Sequence, residues 1–255
     1  MLNKIIEAKK EEMKHFVLPE PQEEYKSVSL YDALSSPNRT VGLIAEVKKA
    51  SPSKGVIREN FEPMSIAKEY VNAGADAISI LTEEQYFLGS KKYLTQIKKI
   101  VNLPLLRKDF IVDRRQLLES KYLGADAILL IGEVLEPTQL VEFYLEAGEL
   151  GLDCIVEVHS IKTVENLLKQ FSPKIIGINN RNLTTFQTSI EQTEVISSYI
   201  DADSLLVSES GIFSKEDISY VREKGAHAVL IGEAIMREKD ITSAIKRLFG
   251  ESMYV

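Results

Sequence analysis

Eight short apolar runs, at residues 41–47, 77–81, 104–107, 126–131, 154–158, 174–178, 204–208 and 227–231, limit what this chain can fold into more than any other feature. Each has the length of a strand, and many are apolar on both faces. Amphipathic stretches at 63–73, 91–101, 114–123, 137–150, 161–171, 187–199 and 215–224 separate them. A strand apolar on both faces must be covered on both, which a parallel sheet wrapped in helices provides. Eight such units predict an α/β fold, a single (β/α)8 TIM barrel. A doubly wound open sheet is the competing architecture. Eight similar units fit closure better, and no GxGxxG follows the first run. With no compositional break to mark a linker, residues 1–255 read as one domain.

An internal repeat supports the same architecture. Gly74-Ala75-Asp76-Ala77-Ile78, Gly124-Ala125-Asp126-Ala127-Ile128 and Gly225-Ala226-His227-Ala228-Val229 each close a helix with Gly and enter a strand through small residues. Because any parallel α/β protein favours such a turn, the repeat speaks to fold rather than function. Ahead of the first strand, residues 1–16 carry apolar positions at near-helical spacing, ended by Pro19 and Pro21, and 29–34 predict a second short helix. The expectation is an N-terminal helical extension of about 40 residues (1–40) that caps one end of the barrel (41–255).

The chain is 44% hydrophobic and 27% charged, which allows a sizeable core. A net charge of −7 argues against non-specific nucleic-acid binding. One cysteine, Cys154, excludes an internal disulfide and a cysteine zinc cluster and reads as a small buried hydrophobe. No stretch suits a membrane span or signal peptide, so the expectations are a cytoplasmic, stand-alone, monomeric protein.

In a barrel of this kind the C-terminal strand ends form the active face. There the sequence places Glu46 and Lys48, then Lys108, Glu157, Asn179 and Glu209. Glu46 and Lys48 are two apart and share a strand face. Buried, they cost several kcal/mol unless paired or used. His159 reads as a loop or cap residue, and His15 and His227 have no constellation around them. Lys9-Lys10-Glu11-Glu12 and Lys98-Lys99 read as solvated helix faces. Ser210-Gly211 and Gly232-Glu233 follow the seventh and eighth runs, where this architecture commonly binds phosphate through backbone N–H groups. The loop Ser51-Pro52-Ser53-Lys54-Gly55 can close over the same region as a flap.

Taken together, IAEVKKASPSKG (44–55), LLRKDFIVD (105–113), ADAILLIGE (125–133), VEVH (156–159), GINNRNL (177–183), SESGI (208–212) and IGEAIM (231–236) resemble the indole-3-glycerol-phosphate synthase family of tryptophan biosynthesis. The resemblance runs in order along nearly the whole chain. It implies a lyase that closes the indole ring of 1-(2-carboxyphenylamino)-1-deoxyribulose 5-phosphate with loss of carbon dioxide and water. By that analogy Lys108 is the general acid, and Lys48 contacts the substrate carboxylate or shares acid duty in dehydration. Glu157 is then the base or proton shuttle, Glu46 and Asn179 orient and stabilise the charged intermediate, and Glu209 tunes the lysines. Ser51, Ser210, Gly211, Gly232 and Glu233 would hold the phosphate, with the Glu233 carboxylate turned away. Arg181, Leu183 and Phe110 would line the site, and Phe87 would help form the pocket for the aromatic ring. No metal or organic cofactor is called for, and the expected partner is the phosphorylated small molecule alone. Two other readings are a related sugar-phosphate barrel enzyme, such as an Amadori isomerase, and a non-catalytic phosphate-binding barrel. The first wants a cysteine or carboxylate base with an aspartate acid. The second would lack one of the lysines or glutamates.

Overall fold

Eight strands do form from the eight apolar runs, each within one residue of its expected bounds: β1 (Gly42–Val47), β2 (Ala77–Leu81), β3 (Leu105–Lys108), β4 (Ala127–Ile131), β5 (Asp153–Val158), β6 (Ile175–Asn179), β7 (Leu205–Glu209) and β8 (Ala228–Ile231). The computed structural model describes residues 1–21, 23–182, 187–200 and 203–251. The strands are all parallel and close in the order β1-β8-β7-β6-β5-β4-β3-β2. Nine helices follow the strands around the ring: α3 (Pro63–Asn72), α4 (Lys91–Lys98), α5 (Arg115–Tyr122), α6 (Pro137–Glu149), α7 (Ile161–Leu168), α8 (Glu191–Ser197), α9 (Lys215–Glu223), α10 (Glu233–Met236) and α11 (Ile241–Phe249), among the described residues. None of the described helices is long and apolar enough to cross a membrane.

Strand periodicity of two divides the core into layers. Leu43, Ala45, Ile78, Leu105, Ile128, Val156, Ile176 and Val229 pack outward against the helices. Ile44, Ala77, Leu106, Leu129, Ile155, Ile175, Val207 and Ala228 fill the barrel interior. Two residues beyond Ile44, Leu106, Ile155 and Val207 stand Glu46, Lys108, Glu157 and Glu209, so the same parity carries four charged groups into the interior.

Both expected N-terminal helices form, as α1 (Leu2–Lys14) and α2 (Leu30–Ser35), but among the described residues they are the only helical parts of the segment, so a helical extension of about 40 residues is not borne out. Leu30 and Leu34 of α2 join the interior cluster and plug the end at which the strands start. On α1, Ile5, Lys9 and Met13 form the buried stripe. Lys9 is therefore no solvated residue. Its Nζ lies 3.1 Å from Asp109 Oδ1 and 2.7 Å from Glu12 Oε2, and Asp109 continues to Arg107 at 3.1 Å and Arg107 to Glu119 at 2.8 Å. Lys98 also departs from the solvated reading, with Nζ 2.6 Å from Asp126 Oδ2.

The repeated helix-to-strand turn has a job that apolar patterning does not show. Leu43 donates its backbone N–H to Asp76 Oδ2 at 2.8 Å, while the Asp76 N–H returns to Leu43 O at 2.9 Å. Asp126 makes the same pair of bonds with Leu105, each at 2.9 Å. His227 makes it with Leu206, Nδ1 accepting at 3.0 Å and the backbone donating at 2.8 Å. His227 thus does have a defined environment. It stands where the other two turns use an aspartate.

Candidate active site

A cleft opens at the C-terminal ends of the strands, lined by Glu46, Lys48, Lys108, Glu157, Asn179 and Glu209 together with Ser51, Phe87, Phe110, Arg181, Ser210, Gly211, Gly232 and Glu233. Leu183 lies outside the described residues. Met1, Leu2 and Ile5 of α1 also line the cleft, and the sequence pattern of an amphipathic helix had no means of placing them there.

Lys108 is the centre of its charge arrangement. Its Nζ lies 2.5 Å from Glu209 Oε2 and 3.4 Å from Glu157 Oε2. Burial alone would pull the ammonium's pKa down. Glu209, Glu157 and the more distant Glu46 overcome it and raise the value above the ordinary lysine range. Lys108 is a cation held by carboxylates.

The two carboxylates answer differently. Burial raises both, but Lys108 and His159 hold Glu157 below its usual value. Glu209 goes up to about 7: burial is the main cause, and the nearby Glu157 charge adds to it against the pull of Lys108. Glu209 Oε1 is buried without a hydrogen-bond donor. A proton on Glu209 satisfies that atom and relieves the repulsion between two acceptor-only groups.

Around the ring, Lys48 Nζ sits 2.5 Å from Glu46 Oε2. Asn179 Oδ1 accepts the Arg181 backbone N–H at 3.0 Å, which orients its amide. Asn180, the next residue, faces away from the cleft. It ties Ser208 Oγ (2.9 Å) and Ser210 O (3.0 Å) to Thr193 (2.8 Å), bracing the loops after β6 and β7 from behind.

The Ser51 loop is a two-stranded ribbon of Ala50–Ser51 and Gly55–Val56, and Ser53 Oγ accepts from Arg181 at 3.3 Å. Ser210 and Gly211 both have positive φ, 68° and 81°, and both line the cleft. Glu233 directs its carboxylate to Arg237 at 2.8 Å and lies 3.9 Å from Lys54. Phe87 and Phe110 meet with ring centroids 6.2 Å apart. Glu83 shapes the loop bearing Phe87 by accepting the N–H groups of Gln85, Tyr86 and Phe87 at 3.1, 2.7 and 3.0 Å.

His159 is more than a cap. Its Nδ1 lies 2.9 Å from Glu133 Oε2 and its Nε2 3.3 Å from Glu157 Oε1. The parity of β5 gives a signal that the strand pattern contained, since 159 follows 155 and 157 on the interior side. Cys154 is buried in the outer layer and its thiol is pushed up by burial, away from any nucleophilic role.

Comparison with known proteins agrees over the full length. The family model described as indole-3-glycerol phosphate synthase matches residues 2–248. The indole-3-glycerol phosphate synthase of Priestia megaterium is 59% identical over 254 residues, covering 100% of this chain and 99% of the relative. That of Geobacillus thermodenitrificans is 54% identical over 251 residues, covering 98% and 97%. Among solved structures, a mutant tryptophan synthase alpha-subunit from Pyrococcus furiosus superposes with a TM-score of 0.62 at 13% identity, covering 82% of this chain and 98% of that one. At such identity the likeness speaks for the barrel alone.

Proposed function

The chain belongs to the indole-3-glycerol phosphate synthase family, and from that premise we propose how its cleft carries out the reaction: ring closure of 1-(2-carboxyphenylamino)-1-deoxyribulose 5-phosphate with loss of carbon dioxide and water. The enzyme is a carboxy-lyase of tryptophan biosynthesis. The observation that carries the mechanism is the ammonium of Lys108 set between one ionised and one easily protonated carboxylate.

Ring closure needs a proton on the sugar carbonyl oxygen as the carboxylate-bearing aryl carbon attacks. Lys108 supplies it. An ammonium gripped by two full carboxylates would be a poor acid. Protonation of Glu209 loosens that grip, which is how a buried ion cluster yields a usable proton near neutral pH. Loss of carbon dioxide returns the bonding electrons to the ring. A second protonation expels the hydroxyl as water, and a ring-carbon proton must then leave. Glu157, ionised and within the cleft, takes that proton, with Lys48 contacting the substrate carboxylate or sharing the acid step. Glu46 and Asn179 orient the charges around the cationic intermediate.

The phosphate sits against the backbone N–H groups of Ser210–Gly211 and Gly232–Glu233 and the Ser51 hydroxyl. A Glu233 carboxylate turned to Arg237 does not oppose it. The anthranilate ring occupies the apolar side of the cleft beside Phe87 and Phe110, with Arg181 at its edge. We take the enzyme to be monomeric and cytoplasmic. Purified protein given the substrate is expected to produce indole fluorescence, read cleanly because the chain has no tryptophan. Absence of product ends the proposal, and near-normal turnover by a folded Lys108→Ala variant removes that residue from the acid role.

A further inference from the structure

Glu157 has a second cation beside it that the reaction as derived leaves unused. His159 follows β5 on the interior side, and its side chain is only 7% exposed. Glu133, in the loop after β4, holds it at two points. Its Oε1 accepts the His159 backbone N–H at 2.8 Å, and its Oε2 lies 2.9 Å from Nδ1. From α8, Gln192 donates to the His159 carbonyl at 3.0 Å. The ring is thereby turned so that Nε2 faces Glu157 Oε1 at 3.3 Å, while the other Glu157 oxygen faces Lys108 Nζ at 3.4 Å.

An ionised carboxylate can only accept, so Nδ1 carries a hydrogen toward Glu133. A bare Nε2 lone pair set against a carboxylate oxygen would be repulsive. Nε2 is buried and makes no directed hydrogen bond, so the 3.3 Å contact is a charge contact. The ring therefore carries both protons, an imidazolium between two carboxylates. Burial opposes that charge, and Glu157, Glu133 and Glu209 outweigh it. The charged groups facing the pair are Lys108 from β3, Glu209 from β7 and Glu133 after β4, with Glu46 of β1 and Lys48 just after it further round the interior.

We propose that His159, clamped by Glu133, is a positioning residue that keeps the Glu157 carboxylate ionised and aimed into the cleft during ring closure. The proposal rests on the assignment of Lys108 as acid and Glu157 as base. Once Lys108 has given up its proton, Glu157 loses the positive charge on one oxygen. The imidazolium remains on the other, so the base keeps its charge and its aim for the later proton abstraction. No bond to His159 forms or breaks.

His159→Gln keeps a donor of similar reach and removes the charge. The acidic limb of the kcat–pH profile, set by Glu157 protonation, is expected to move up by about one pH unit, with KM unchanged. Glu133→Gln should move the same limb by less. A limb that stays in place in an active, folded His159→Gln protein, or a loss confined to KM, overturns the proposal. Nitrogen-15 NMR of the unmodified protein gives a second measurement that needs no variant, because the chain has only 3 histidines. Both His159 ring nitrogens are expected in the imidazolium range at pH 7.5, and a neutral ring overturns the proposal. An unmodified protein that does not turn over the substrate overturns the functional reading and this one with it, whereas an active protein failing either test overturns this one alone.

Discussion

At position 177, on the interior side of β6, no side chain fits while Glu209 stands where it does: a Cβ there would clash with Glu209 Oε1 and come within 2.9 Å of Ile155 Cγ2. Gly232 makes the same allowance two strands round the ring, after β8, where a Cβ would clash with Glu46 Oε2 and lie 3.0 Å from Lys48 Nζ. These glycines are the space into which the charges fold, a role distinct from conformational freedom. Gly177→Ala should cost about 1–3 kcal/mol of stability, the usual range for overpacking. It should also lower kcat more than a cost of that size elsewhere would, because Glu209 must move off Lys108. A denaturant titration and steady-state kinetics on the one variant check both. Glu209 itself titrates at about 7. As pH rises through that value the carboxylate gains charge and tightens the hold on the Lys108 proton, so kcat should fall between about pH 6 and 8, with an apparent midpoint that belongs to the coupled group. Glu209→Gln should abolish that descent. Its persistence in the variant would assign the limb to another group.

At the scale of elements, the helix-to-strand turns before β2, β4 and β8 use one device in two chemistries. Asp76 and Asp126 accept the preceding strand's N–H as carboxylates, and His227 accepts as a neutral imidazole. Burial lowers the His227 pKa below its ordinary value. A depressed folded value means that its contribution is present above the unfolded pKa of about 6.5 and is lost as pH falls through the folded one. His227→Asp should therefore remove part of the acid-side loss, so that the difference in urea midpoint between variant and parent grows in the variant's favour from pH 7 to pH 5.5. An unchanged difference would show that the bond through Nδ1 contributes nothing. The turns also mark where sequence reading stops. Eight strands were legible because parity and double-sided apolarity leave a parallel barrel little alternative, and the same parity turned Glu46, Lys108, Glu157 and Glu209 inward. The buried stripe of α1 was not legible. Lys9 has a solvated residue's chemistry, and only the location of Asp109, more than ninety residues on, makes it a core residue. For His159 the parity of β5 showed the inward side, but its partner Glu133 comes from the loop after β4, which parity along β5 does not show.

Across the whole molecule, the two ends of the barrel do opposite work. At the end where strands start, charges are paired for stability: Asp126 takes Lys98 at 2.6 Å, the Leu105 N–H at 2.9 Å and the Val28 N–H at 2.9 Å, tying helix, strand and N-terminal segment to one carboxylate. At the other end, two carboxylates, Glu157 and Glu209, crowd on the single ammonium of Lys108. Glu209, with its folded pKa raised to about 7, works against the folded state as pH rises from its unfolded value near 4.5, since the unfolded chain releases the proton first. Mutating one residue at each end should separate these roles. Asp126→Ala leaves the buried Lys98 unpaired and should cost about 3–5 kcal/mol. In a chain of this size that lowers Tm by on the order of 10 °C, with kcat/KM at a permissive temperature unchanged. Lys108→Ala should do the reverse. Turnover should vanish, while the loss of Tm stays smaller because Glu209 can take up a proton in place of the missing ammonium. That compensation has a signature of its own. The Lys108→Ala protein should gain stability relative to the parent as the pH is lowered from 8 to 6, and a calorimetric series over that range in which the two curves stay parallel would refute it.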